Sequence, residues 1–274
     1  MSDQVLRRIA QVTLPRSLRD RLRPFWHRIN DKEIRNRARE VAKVNPANRW
    51  ASQQGEELDF WTQVLDANNF DPALYPETRF LRTLPDLRLQ HYLTDRINAV
   101  PGAPVRILDV GAGPLTCLGK KWPGHQVDIV AVDPNAAEYD RILRQVGIEP
   151  LCRTIFGFAE QLLDVVESSS FDLAHARNCL DHAKDPLAAI RQMILAVKPG
   201  CRVFLNHKSR EGQNQAYAGP HQWNLFERRT RFFMGRPGMR SIDVGRQLRD
   251  IATLVAGPSP DGPAWFSVTI TRHI

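Results

Sequence analysis

Val105-Arg106-Ile107-Leu108-Asp109-Val110-Gly111-Ala112-Gly113-Pro114 is the stretch whose reading decides how this chain folds. Val105 to Val110 is a short apolar run of the kind a strand buried on both faces requires, and it runs straight into a turn with two closely spaced glycines. Glycine at 111 and 113 leaves bare backbone where a side chain would collide with an approaching ligand. Outward from this turn, Gln126 to Val132, Phe171 to Ala174 and Arg202 to Leu205 read as three further strands, with helical periodicity between them. Such alternation gives a parallel sheet wrapped by helices. The helix before the fourth strand is the best specified: Asp185 caps it, and Pro186 suits its first turn. Leu187, Ile190, Ile194 and Val197 form its buried face, and Lys198-Pro199-Gly200 stops it. Near the end, Ile251 to Val255 and Trp265 to Ile270 flank the turn-rich Gly257-Pro258-Ser259-Pro260-Asp261-Gly262-Pro263, and strands joined by so short a loop must be antiparallel.

The chain has 274 residues, enough for one sizeable core and an appendage. No uncharged apolar run approaches the ~20 residues of a bilayer span, and the start lacks a secretory pattern, so a cytoplasmic protein is expected. Cys117, Cys152, Cys179 and Cys201 are scattered, without the spacing of a zinc site or redox pair, and read as reduced thiols. The net charge of +8 is entirely N-terminal: residues 1–49 hold 13 Lys/Arg against 5 Asp/Glu, whereas the remainder is balanced. A neutral body with a basic arm argues against nucleic acid as the partner of the body. Within the arm, Leu14, Leu18, Leu22, Phe25 and Trp26 recur at helical spacing among arginines. This basic amphipathic pattern suits packing on the body or on a second copy in a homodimer, or weak peripheral contact with the inner membrane surface.

Three regions follow: a basic arm over 1–49, a helical cap or lid over 50–103, and the alternating domain over 104–274. In the cap, residues 55–69 and 86–99 each carry apolar residues at helical spacing, predicting two helices. Trp50, Phe60, Trp61, Phe70 and Tyr75 cluster there, as core or as a lid over a ligand.

The glycine turn alone is a weak signal, because Thr116 stands where a dinucleotide fingerprint has its third glycine. Asp133 strengthens it: it ends the second strand, where a carboxylate accepts hydrogen bonds from both ribose hydroxyls of an adenosine-containing cofactor. Val105 to Thr116 resembles the first motif of class I S-adenosylmethionine-dependent methyltransferases, and Ala131-Val132-Asp133 resembles their second. Phe171-Asp172-Leu173 and Leu195-Ala196-Val197-Lys198-Pro199-Gly200 resemble later motifs, and the terminal hairpin resembles their seven-stranded sheet. The resemblance implies an α/β fold: a doubly wound, mostly parallel seven-stranded sheet with a terminal antiparallel hairpin, plus the N-terminal helical extension. It implies S-adenosylmethionine as cofactor and S-adenosylhomocysteine as product, with Asp109, Gly111, Ala112, Gly113, Asp133, Pro134 and Asn178 along it. Phe158 occupies the position where relatives often carry an acid against the adenine amine, leaving Phe158 or Ala159 as the adenine contact.

Methyl transfer to a hydroxyl needs a group that takes the proton, and His182, just after the third predicted strand pattern, and His221 are the candidate bases. The polar and aromatic segment containing His207, Glu211, Tyr217, Gln222, Trp223 and Asn224 reads as a substrate loop. It resembles a loop of bacterial small-molecule and polysaccharide-pathway methyltransferases, with Trp223 stacking on a glycan-like acceptor and the others bonding its hydroxyls. Asn178-Cys179 lacks the settings used for base-amine or cytosine-carbon methylation, and the spacing of Asp133, Asp181 and His182 is not that of a magnesium cluster, so no metal is expected. The expected function is O-methylation of a small-molecule or glycan-like acceptor. The alternatives are an RNA methyltransferase that uses the basic arm, and a cofactor-binding regulator without catalysis.

Overall fold

The computed structural model describes residues 32–66 and 81–274. The apolar stripe from Leu14 to Trp26, together with Phe70 and Tyr75, lies outside the described residues.

Seven strands form one sheet: β1 (Val105–Val110), β2 (Val127–Asp133), β3 (Ile155–Phe156), β4 (Phe171–Arg177), β5 (Val197–Lys208), β9 (Ala252–Pro258) and β10 (Trp265–Arg272). Their spatial order is β3-β2-β1-β4-β5-β10-β9. β1, β2, β3, β4 and β5 pair in parallel, and β10 runs antiparallel to both β5 and β9. This is the doubly wound sheet with a terminal antiparallel hairpin that the alternation and the short Gly/Pro-rich connection require. The period of two places Leu108, Val110, Ala174, Ala176, Val203 and Leu205 in one core, while Ile107, Leu173 and Phe204 join the opposite core with Leu89, Leu93 and Ile97.

Three elements differ from the sequence reading. Residues 86–99 form only one helical turn, His91–Thr94, although Leu89, Leu93 and Ile97 are buried as their spacing requires. The backbone there is committed to extended pairing first: Leu89 N–H donates to Lys121 O at 2.8 Å, and Lys120 N–H to Leu87 O at 2.8 Å. The helix expected over 55–69 begins earlier, as Pro46–Leu65, because Asn45 accepts from Ala47 N–H at 2.9 Å and Pro46 fits the first turn. Between β5 and β9 the expected loop is an ordered insert carrying a second sheet, β6 (Asn224–Arg228), β7 (Arg231–Gly235) and β8 (Ile242–Asp243). Leu225, Phe232 and Met234 carry it into the main core.

The helices that matter for the site are α1 (32–43), α2 (Pro46–Leu65), α3 (Ala136–Gln145) and α4 (Pro186–Ala196). The insert holds α1 and α2 against the sheet. Arg236 donates to Val41 O and Val44 O at 2.6 and 2.9 Å, and Arg49 donates to Tyr217 O and Gly219 O at 2.6 and 2.7 Å. Among the described residues, no helix is long and apolar enough to cross a membrane.

The α4 start is as its sequence requires: Asp185 Oδ1 accepts from Leu187 N–H and Ala188 N–H at 3.0 and 3.1 Å. Asp185→Ala should cost about 1 kcal/mol in urea unfolding. Because this cap lies outside the ligand cleft, cofactor affinity should not change in a calorimetric titration.

Candidate active site

The carboxyl ends of β1, β2 and β4 open into a cleft roofed by α2, and the cleft holds about 1010 Å³ of space including its mouth. Its floor is the glycine turn. Gly111 and Gly113 both have φ of 66°, and a Cβ at 113 would lie 2.7 Å from the Trp61 ring, so only glycine lets the roof rest on the turn. Asp133 ends β2 with its carboxylate accepting from Gly113 N–H at 3.1 Å and Asn135 N–H at 3.0 Å. Burial, outweighing those two hydrogen bonds, pushes its pKa up from 3.8 to about 7. Asp109 braces the turn: its two oxygens take the Thr116 hydroxyl at 2.6 Å and His175 Nδ1 at 2.7 Å.

All nine residues expected around the cofactor line this cleft: Asp109, Gly111, Ala112, Gly113, Asp133, Pro134, Phe158, Ala159 and Asn178. The Phe158 ring sits edge-on to Trp50, with centroids 5.5 Å apart, and forms an aromatic corner. Glu160, beside it, is spent on the backbone N–H groups of Lys184 and Asp185 at 2.7 and 3.1 Å. Asn178, at φ 50°, accepts from Lys208 N–H, so its side chain fixes the loop after β4. The roof is Trp50, Gln54, Glu57 and Trp61, spaced four, three and four apart on one face of α2; the sequence left the two tryptophans open between core and lid and did not single out Gln54 or Glu57. That spacing was the available signal, but a mixed aromatic and polar stripe does not reveal whether it meets a core or a ligand. Gln54 also ties to Asn135 at 2.9 Å.

The two candidate histidines come together at the side of the cleft: His182 lines it, and His221, which does not, lies against His182. His221 Nδ1 lies 2.7 Å from Asp181 Oδ2 and 3.1 Å from His182 Nε2, and His182 Nδ1 lies 3.5 Å from Glu57 Oε2 of the roof. Burial alone would raise the Asp181 carboxyl, yet His182 and His221 outweigh it and hold it at about 2. For His221, burial is outweighed in the same way by the Asp181 hydrogen bond, which raises the imidazole above its usual value. Cys179, against Val110 O, is pushed well up by burial and is not a thiolate nucleophile.

A floor of two glycines, an acid closing the neighbouring strand and a sheet in the order 3-2-1-4-5 ending in an antiparallel hairpin suit the adenosine and methionine parts of S-adenosylmethionine. The methyltransferase-domain family matches residues 80–245, more than half of the chain. The chain belongs to that family. This methyltransferase domain is of the class I, S-adenosylmethionine-dependent kind, and S-adenosylmethionine is its cofactor. Over 167 residues the chain is 30% identical to the ubiquinone biosynthesis O-methyltransferase of Xanthomonas campestris pv. campestris, covering 61% of this chain and 66% of that relative. The match thus spans just under two thirds of the relative's length. Among solved structures, similarity is found to the methyltransferase complexed with the Trm112 activator from Haloferax volcanii (TM-score 0.48, 11% identity, 80% of this chain and 97% of that one). Similarity is also found to an S-adenosylmethionine-dependent methyltransferase from Aquifex aeolicus (TM-score 0.43, 15% identity, 75% and 100%).

The methyltransferase's six expected substrate residues do not line the cleft; they are buried, and most are bonded to neighbouring parts of the chain. Trp223 donates its ring N–H to Ala183 O at 2.8 Å and packs in the main core, so it has no face to offer a sugar. Gln222 spans Ala183 O, His182 O and Pro46 O, while Asn224 bonds the Tyr217 hydroxyl and Gln213 N–H. Glu211 takes Lys208 and Gln215, and His207, with neither ring nitrogen partnered, is lowered to about 4 by burial. The polar content of the segment satisfies its own buried backbone and the 181–183 turn instead of a ligand. Arg82 and Arg177, from the cap and from β4, line the cleft where the sequence reading had no candidate.

Asp133 carries a pH expectation. Between pH 3.8 and about 7 the folded chain keeps a proton that the unfolded chain has released, so this group's contribution to stability falls as pH rises through that window. A ligand that needs the carboxylate must expel that proton below pH 7. Calorimetry should find S-adenosylmethionine affinity weakening by up to roughly tenfold per pH unit as pH falls below 7, with a flat profile and weaker binding in Asp133→Asn.

Proposed function

We propose that this protein transfers the methyl group of S-adenosylmethionine to a hydroxyl oxygen of a small-molecule acceptor. The observation that carries this reading is the Asp181–His182–His221 cluster, which reaches the cleft with the glycine floor through His182. The bound cofactor supplies a methyl group on a sulfonium sulfur; the acceptor oxygen takes it as the sulfur–carbon bond breaks, leaving S-adenosylhomocysteine. The chain's own residues do the rest. Gly111, Gly113 and Asp133 hold the cofactor, and Trp50 and Phe158 form the corner suited to an adenine face. Trp50 and Trp61 roof the cleft and exclude water, which strengthens the electrostatics within it. The hydroxyl proton is lost at the Asp181–His182–His221 cluster, because an alcohol or phenol attacks well only as that proton leaves. The likeness to an O-methyltransferase of ubiquinone biosynthesis supports an oxygen acceptor, and the burial of Trp223 removes the argument for a sugar face.

The test is a labelled-methyl transfer assay over a panel of catechols, phenols and aliphatic alcohols, with amines and RNA as controls. His182→Ala and His221→Ala should each lower kcat by about 100- to 10,000-fold. Their affinity for S-adenosylmethionine in calorimetry should be unchanged. Transfer only to amines or RNA, or undiminished kcat in both variants, would overturn the reading.

A further inference from the structure

Three donor atoms converge beside the cleft, which one of their residues, His182, lines. Asp181 Oδ2 lies 2.7 Å from His221 Nδ1, His221 Nδ1 lies 3.1 Å from His182 Nε2, and His182 Nε2 lies 3.6 Å from Asp181 Oδ2. Protons answer the three contacts only in part, because 3.6 Å is beyond hydrogen-bond reach. If His221 Nδ1 carries its hydrogen toward Asp181, His182 Nε2 either shares that hydrogen as a second acceptor or opposes it with an N–H of its own. If His182 Nε2–H donates to His221 instead, His221 turns a lone pair toward a carboxylate. Asp181 would then be a buried charge, 1% exposed, without its neutral donor, and its Oδ1 already has no partner.

A cation answers all three at once. At ligand distances of about 2.1 Å, atoms spaced in this way subtend roughly 80 to 120° at the ion, which lies about 1 Å out of their plane. Those are the angles of one face of a tetrahedron or octahedron. The surroundings match such a site. A carboxylate stands behind one imidazole, Glu57 Oε2 at 3.5 Å from His182 Nδ1, where its charge favours a proton on Nδ1 and so leaves Nε2 free to ligate. Asp181 O accepts from Gln222 N–H and Trp223 N–H, both at 3.1 Å, which pins the turn carrying the carboxylate to the segment carrying His221. A second cluster of metal-binding residue types among the described residues, Asp109, Cys117 and His175, differs: the remaining Asp109 oxygen is taken by the Thr116 hydroxyl at 2.6 Å, whereas Asp181 Oδ1 has no partner.

We propose that Asp181, His182 and His221 bind a first-row divalent cation of the zinc, manganese or cobalt class, with its open positions facing the cleft. Two imidazoles and one carboxylate suit these ions better than magnesium. This departs from the sequence expectation of no metal, which weighed Asp133, Asp181 and His182; the fold brings in His221 in place of Asp133. What the cation does there rests on the proposed methyl transfer: with the three donor atoms engaged as ligands, the cluster would act on the acceptor hydroxyl through the cation instead of as a base, and a hydroxyl in an open position would give up its proton to water more readily.

The test uses the full chain, stripped with EDTA, exchanged into metal-free buffer and titrated with Co2+ by visible absorption and with Zn2+ by calorimetry. One equivalent should bind per chain with visible d–d bands. Asp181→Asn and His221→Ala should abolish the bands, with the fold checked by circular dichroism. Glu57→Gln, which keeps every ligand, should weaken binding by about 10- to 100-fold and guards against misfolded ligand variants. No saturable binding by the native chain, or bands that survive both ligand substitutions, overturns the site. Stripped protein that binds no cation yet still transfers methyl groups overturns the cation and leaves the proposed reaction standing. A chain that binds the cation through these residues but methylates nothing in the panel keeps the site and loses the reaction.

Discussion

A carboxylate buried at the end of a strand must be answered by donors, and at Asp133 the donors are the backbone N–H groups of Gly113 and Asn135. That pairing joins the end of β2 to the turn after β1, so the glycine floor and the acid beside it cannot shift independently. Asp109 repeats the device one strand over with Thr116 and His175, neither of which depends on a ligand. With the floor fixed, Trp61 rests on Gly113 in a space that no side chain at 113 could share. The angle of α2 follows from that contact, and with α2 come Trp50, Gln54 and Glu57.

The site is assembled from three parts of the chain with different duties. The sheet supplies the floor and the acids, and α2 supplies the roof. The insert between β5 and β9 supplies His221 and the clamps that hold the roof down. Arg49 and Arg236 each donate to two main-chain carbonyls across that seam. Charged donors to buried carbonyls are worth more than neutral ones, about 1.5–3 kcal/mol each, so the insert is a structural partner of the N-terminal helices and not a free substrate loop. The same seam brings His221 to Asp181 and Glu57 to His182, which makes the acid–histidine cluster a product of domain assembly.

Much of this was legible in local sequence. The long strands of the main sheet, the hairpin, the Asp185 cap and the glycine turn at the cleft floor follow from patterns a few residues long, because period two, period 3.6, caps and positive-φ glycines are set by neighbours. The edge strand Ile155–Phe156 was not legible, since two exposed residues carry no alternation. The segment from His207 to Asn224 was misread for a related reason. Its polar residues are rich in hydrogen-bonding capacity, and sequence does not say whether the partners are a ligand or the chain's own carbonyls.

By itself, then, the sequence determined the class of fold and the glycine turn with the acid that closes the neighbouring strand, features written within single elements or adjoining turns. Only the tertiary structure decided that Trp223 is core, that α2 roofs the cleft and that Asp181, His182 and His221 share one point. Those outcomes depend on contacts between residues 39 to 170 positions apart, such as His182 with His221 and Arg49 with Gly219. Packing, not local propensity, chooses among such long-range contacts, because each polar group must find its partner in the space that the buried apolar faces leave open.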